Sequence, residues 1–191
     1  MLVKAWILDE SPGAYRFGAI DPPPLQPDDV RVRVVASALN HMDLWLTKGL
    51  PRPPLPHIPG CDFAGVVSEV GPAVTRFAVG DEVVVNPGRS PLSEIVEWGE
   101  DSPMAPGFRI IGEHCWGGHA SHATVPERNL VHRPASRTWA ECAAYPIAYV
   151  TAYRMLRRAR ARAGETVLVV GIGSGVSCAA LALARQMGCS V

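Results

Sequence analysis

The 191-residue sequence lacks an excess of either charge: 18 Lys and Arg face 18 Asp and Glu, for a formal net charge of zero. Without a basic surplus, nothing singles out nucleic acid or an anionic membrane as a partner. No apolar run reaches the ~20 residues that a membrane-spanning helix needs. The five cysteines (61, 115, 142, 178 and 189) are odd in number and scattered, with no C-x-x-C pair. That usage suits reduced thiols in a cytoplasm better than a disulfide framework. The N-terminus has no signal-peptide layout and reads directly as a strand, so a cytoplasmic location is expected. No internal repeat or low-complexity tract stands out.

Apolar residues make up 48% of the chain and charged residues 19%, which marks a globular sequence of one or two domains with room for a sizeable core. Five arginines between Arg154 and Arg162 read as the solvated face of a helix rather than a polyanion site. Residues 1–8 form a short apolar strand, and a stiff polyproline connector spans 21–27. Residues 30–36 alternate with period two, as a strand with one wet face does. A helical turn is expected over 39–49, a proline-rich loop over 51–59, and strands over 60–71 and 79–85. The stretch 86–113 has no periodicity and reads as an excursion, and 119–125 as a returning strand. Short strands between glycine and proline turns predict a compact β-barrel or sandwich.

Near residue 135 the pattern changes. Thr138 and Glu141 fit a capping box, Pro146 should interrupt the helix it opens, and a second helix is expected over 148–161. Then Val167–Val170 reads as a fully buried parallel strand. It enters a turn with Gly171, Gly173 and Gly175 and leaves as an Ala- and Leu-rich helix ending at Gly188. Strand, glycine turn and helix present backbone N–H groups to a phosphate. The spacing departs from plain G-x-G-x-x-G, because Val176 and Ser177 stand where a third glycine might be.

The order of these motifs resembles the medium-chain dehydrogenase/reductase superfamily, in which a GroES-like β-barrel precedes a Rossmann domain. Gly60, Asp62, Gly65, Gly71 and Val74 match its N-terminal signature. Leu39 to Asp43, Gly80 to Val83, the Thr151 helix and the Gly171–Ser177 turn match in order, so the resemblance runs from residue 2 to 191. The quinone-oxidoreductase-like and zinc-binding dehydrogenase branches are most similar. The resemblance implies a mixed β and α/β fold: a GroES-like domain over 1–134, then the first β-α-β portion of a Rossmann domain over 135–191. It implies an NAD(P)-dependent oxidoreductase acting on a small molecule. Asn40, His41, Asp43 and Asp62 are its expected catalytic residues, and Thr151, Gly171, Gly173, Ser174, Gly175 and Val176 would bind the cofactor.

Zinc is not expected. Where zinc relatives carry Cys, Gly-His-Glu and a later Cys, this chain has Asn40, Cys61 with Asp62, and Pro146 with Ile147, a poor tetrahedral set. The lobe that holds a structural zinc in relatives has Pro91, Glu94 and Glu97 where thiolates would be. Trp98, Met104 and Phe108 are expected to pack it down instead. Cys61 reads as a buried small side chain, and His114, Cys115, His119 and His122 as ordinary barrel residues rather than a metal cluster. His41 with Asp43 reads equally as a proton relay or as local caps. Without a metal, Asn40, His41 or water would polarise the substrate oxygen, which favours a quinone, enone or other activated carbonyl.

The position that separates NAD from NADP lies ~20 residues past the glycines, at or beyond Val191, so both stay open. A lone strand and helix cannot bury their apolar faces unaided. The expectation is a homodimer or a fold completed by further chain. Two rivals follow: a zinc-dependent alcohol dehydrogenase, and a non-catalytic GroES-like subunit or interaction module exposing Leu181, Leu183 and Met187.

Overall fold

The computed structural model describes residues 2–191, which form two compact units, one ending at Ala144 and the other spanning Tyr145–Val191. In the first, alternating apolar residues drive strand formation. β1 (Val3–Leu8) pairs antiparallel with β2 (Tyr15–Ile20), and the inward residues Val3, Ala5 and Ile7 pack on Ile58. β2 was not expected, because Tyr15, Arg16 and Phe17 give no clean period-two signal.

The main sheet has five antiparallel strands in the order β8–β3–β4–β5–β9. These are β3 (Asp29–Ala38), β4 (Asp62–Val70), β5 (Glu82–Val85), β8 (His122–Pro126) and β9 (Leu130–His132). Val30, Val32, Phe63, Val67, Val83, Val85, Val125 and Leu130 meet in one core. Alternation along β3 puts one face inside and the other towards water, whereas β4 and β5 bury consecutive residues. The short helix α1 (His41–Leu46) follows β3 directly. After the sheet, the Thr138 hydroxyl accepts from the Glu141 amide at 3.2 Å, and the Glu141 carboxylate accepts from the Thr138 amide at 2.8 Å. This capping box opens α3 (Trp139–Ala144), which lies on β3 and β4 and buries Cys142 and Ala143.

The excursion is more ordered than its sequence suggests. It carries β6 (Gly88–Arg89), a helix α2 (Leu92–Trp98), a 3-10 turn (Gly99–Met104) and β7 (Arg109–Ile110), with β6 paired to β7. Trp98 and Met104 do not hold it down, because both are exposed, whereas Phe108 is half-buried beside Gly88. Hydrogen bonds hold the lobe as well. The Glu94 carboxylate takes the Gly107 amide at 2.9 and 3.0 Å. The Asn129 amide donates to the carbonyls of Asn86 and Gly88 at 2.8 and 2.7 Å. Glu94 thus clamps the lobe.

In the second unit, Pro146 begins α4 (Pro146–Arg158), as its fixed φ permits at a first helical turn. α5 (Gly175–Gln186) packs on it through Leu156, Ala184 and Cys189, joined by half-buried Val167, Leu183 and Met187. The helix face expected to be exposed is therefore half covered. The expected buried strand is not buried: Leu168 and Val170 are 86% and 84% exposed. Thr166 makes one parallel bridge with Ser190, and no other described residue pairs with this segment. A parallel strand needs neighbours on both edges and helices on both faces; a single bridge supplies neither.

Phe63 anchors the main core, fully enclosed among valines. Phe63→Ala is expected to lower stability by about 3–5 kcal/mol, while Val96→Ala on the exposed face of α2 should stay within about 0.5 kcal/mol. Urea denaturation of both variants checks this; equal losses would contradict the assigned core.

Candidate functional site

The end of β3 delivers the chain to Asn40, the N-cap of α1. Its side-chain amide donates to the Cys61 thiol sulfur at 3.3 Å and to the Asp62 carboxylate at 3.0 Å, 21 and 22 residues further on. Cys61 and Asp62 are both buried. Burial raises the Cys61 thiol pKa well above its ordinary value, and the neighbouring carboxylates of Asp62 and Asp43 raise it further. The thiol stays protonated as a result.

One turn into α1, Asp43 is buried and draws three segments together. Oδ2 accepts the Asn40 backbone amide at 2.7 Å and faces the His119 ring at 3.4 Å, and Oδ1 accepts the Gly60 amide at 3.2 Å. The Asp43 carbonyl accepts the Tyr15 hydroxyl at 2.7 Å, and burial raises the Tyr15 pKa, with the Asp43 charge adding to it. His119 also reaches the Ser37 hydroxyl at 3.1 Å. Gly60 makes this approach possible. Its φ of +100° favours glycine, and a Cβ there would lie 2.7 Å from the His119 ring.

The structure thus unites three expected residues, Asn40, Asp43 and Asp62. It does not unite His41 with Asp43: His41 is exposed, its ring 6.3 Å from that of Trp45, and the partner of Asp43 is His119. His119, read in the sequence as an ordinary barrel residue, belongs to the site network. The signal was faint, since 76 residues separate it from Asp43.

Among the described residues, no group of three or more His, Cys, Asp or Glu could hold a metal ion. In the Asn40 cluster an amide N–H points at both the thiol and the carboxylate, on the side from which a cation would be bound.

In the second unit, Gly171 has φ +76°, and Cβ atoms at Gly171 and Gly173 would meet nothing within 4 Å. Ser174 is the N-cap of α5 and its side chain accepts the Ser177 amide at 3.1 Å. Gly175 and Val176 begin the helix, and Thr151 lies half-buried on α4. An open glycine turn at the start of a twelve-residue helix fits the pyrophosphate of a dinucleotide.

Protonation and burial of Cys61 give a direct check. At pH 7.5, iodoacetamide should alkylate exposed Cys178 and leave Cys61 unmodified until the protein is unfolded, as read by peptide mass spectrometry. Native-state labelling of Cys61 at the rate of Cys178 would contradict the enclosed site.

Comparison with known proteins bears on this arrangement. The family profile of the alcohol dehydrogenase GroES-like domain matches residues 26–135. The chain is similar to a zinc-type alcohol dehydrogenase-like protein of Schizosaccharomyces pombe, 37% identical over 89% of this chain and 49% of that protein. It is similar to the chloroplastic NADPH-dependent alkenal/one oxidoreductase of Arabidopsis thaliana, 30% identical over 97% of this chain and 45% of that protein. A crystal structure of an NAD-dependent alcohol dehydrogenase superposes with a TM-score of 0.87 at 39% identity, over 99% of this chain and 56% of the other. The chain spans about half the length of the proteins it matches. With the profile covering more than half of its residues and the fold matching along almost all of them, the chain belongs to the medium-chain dehydrogenase/reductase superfamily and carries its alcohol dehydrogenase GroES-like domain.

Proposed function

We propose that this chain is the substrate-binding and first cofactor-binding part of a zinc-independent, NAD(P)H-dependent reductase of quinones, enones or similarly activated carbonyl compounds. The observation that carries the reading is the Asn40 amide, directed at Cys61 and Asp62 where zinc relatives would place a metal ligand. The similarity to an alkenal/one oxidoreductase supports a reductase, and the similarity to alcohol dehydrogenases supports the wider oxidoreductase class.

Within this reading the site works by hydrogen bonding. The Asn40 Nδ2–H groups are the donors for an incoming carbonyl oxygen, which displaces the weak contact to the Cys61 sulfur. Asp62 retains the second N–H and so fixes the amide plane. Asp43 holds the Asn40 backbone by its 2.7 Å hydrogen bond, so the donor is preorganised before substrate arrives. Exposed His41, on the first turn of α1, is available as a proton donor at the rim. A nicotinamide cofactor, when bound, supplies the hydride. Gly171, Gly173, Ser174, Gly175 and Val176 would hold its pyrophosphate, and Thr151 would lie towards its nicotinamide end. Neutral hydrogen-bond donors polarise a carbonyl less than a metal ion does, which is why the substrate must already be electrophilic.

A second reading is favoured by the bare edge at Leu168 and Val170. In it, the chain is an interaction module or subunit completed by a second copy or by further polypeptide, and catalysis is a property of the assembly.

Asn40→Ala in the catalytically competent form of the protein tests the first reading. Loss of the donor should lower kcat for enone or quinone reduction about 10²-fold and leave NAD(P)H affinity unchanged. An unchanged kcat would remove Asn40 from the mechanism.

A further inference from the structure

A second concave surface in the first unit adjoins the candidate site and shares Asp43 and His119 with its network. It is a groove of about 690 Å³ between the outward face of the β1–β2 hairpin, the end of β3 and the first turn of α1. Its walls include Trp6, Phe17, Leu39 and Leu44, and its floor His119 and Ser121. None of Asn40, Cys61 or Asp62 lines it. Its size falls in the range of about 300–1,000 Å³ typical of small-molecule sites.

The four wall residues are unusual because they are large, apolar and exposed at 49%, 61%, 82% and 62%, respectively. Scattered exposed apolar side chains are ordinary; convergence of four on one groove is not. Trp6 and Phe17 are already in tilted contact, with ring centroids 5.4 Å apart, so the aromatic wall is preformed. The polar groups of the floor engage one another: His119 meets Ser37 and Asp43, and Tyr15 donates to the Asp43 carbonyl. The Asp43 charge faces His119 and two backbone amides and is not presented to a ligand. The one full charge left for an occupant is the ammonium of Lys4, which forms no ion pair among the described residues. Two tilted aromatic rings and a single cation define the chemistry of the occupant.

We propose that this groove is a binding site for a planar aromatic anion, such as an aryl carboxylate or sulfonate. The ring system stacks on Trp6 and meets Phe17, whose ring is inclined at 58°, by its edge, between Leu39 and Leu44, and the anionic group sits at Lys4. The proposal does not depend on the reductase reading, since Asn40, Cys61, Asp62 and the glycine turn do not line the groove, and Asp43 and His119, which do, are engaged with each other.

The experiment is a titration of the 191-residue chain with 1-anilinonaphthalene-8-sulfonate, followed by probe fluorescence and by quenching of tryptophan emission. The same titration is repeated with the uncharged N-phenyl-1-naphthylamine. Lys4→Gln, Trp6→Ala and Leu39→Ser alter exposed groove positions, and Leu168→Ser alters the bare edge of the second unit as a control. Saturable one-site binding is expected. Lys4→Gln should weaken it about tenfold, as loss of a charge-assisted contact does. Trp6→Ala and Leu39→Ser should weaken it as well, Leu168→Ser should not, and the uncharged probe should bind wild type about as weakly as the sulfonate binds Lys4→Gln. Binding indifferent to the three groove variants, or abolished by Leu168→Ser, would overturn the site. Equal affinity for the charged and uncharged probes would overturn the assignment of an anion.

Discussion

The first unit depends on the buried carboxylate of Asp43. Three segments far apart in sequence (the cap of α1, the Gly60 turn and the strand lead at His119) end at its two oxygens. A buried carboxylate left without donors would be costly, so the fold supplies two backbone amides and an imidazole. The consequence is positional. With Asn40 fixed at one end and Gly60 at the other, Cys61 and Asp62 have little freedom except to face the Asn40 amide. The site geometry follows from satisfying one buried charge.

The same economy explains how the chain manages without thiolates in its excursion. Glu94 binds a backbone amide with both oxygens across 13 residues, and Asn129 reaches two carbonyls across 43 and 41 residues. Both are directional hydrogen bonds to main-chain groups, and the Asn40 side chain likewise engages its neighbours by donating hydrogen bonds.

Much of this was legible in the sequence, for physical reasons. β3 announces itself because one-sided burial forces a period of two, β4 and β5 because glycine turns bound short valine-containing runs, and the Thr138 to Glu141 box because its two hydrogen bonds are local. Pro146 marked the break between α3 and α4 correctly. Asn40 and Asp62 could be paired through the resemblance, since both lie in recognisable motifs. What stayed hidden was long-range or context-dependent. His119 meets Asp43 only through the pairing of β3 with its neighbours, which no local pattern encodes. α2 is seven residues without a buried face, so it leaves no apolar stripe. Val167–Val170 has the composition of a buried strand, but burial depends on partners: Val167 packs on the α4–α5 core, while Leu168 and Val170 stay exposed. Composition records what a segment is suited to; the neighbours decide what it does.

The central claim is that hydride transfer in this protein needs donors from the chain and no metal. The most direct measurement uses nicotinamide cofactor deuterated at C4, an enone acceptor and protein stripped with a strong chelator, with residual zinc quantified by atomic emission. Mass spectrometry of the product then reports whether deuterium has moved. The account predicts stoichiometric deuterium in the reduced product at zinc contents far below one per chain. Transfer that appears only after zinc is restored to one per chain would contradict it and establish a zinc-dependent alcohol dehydrogenase instead.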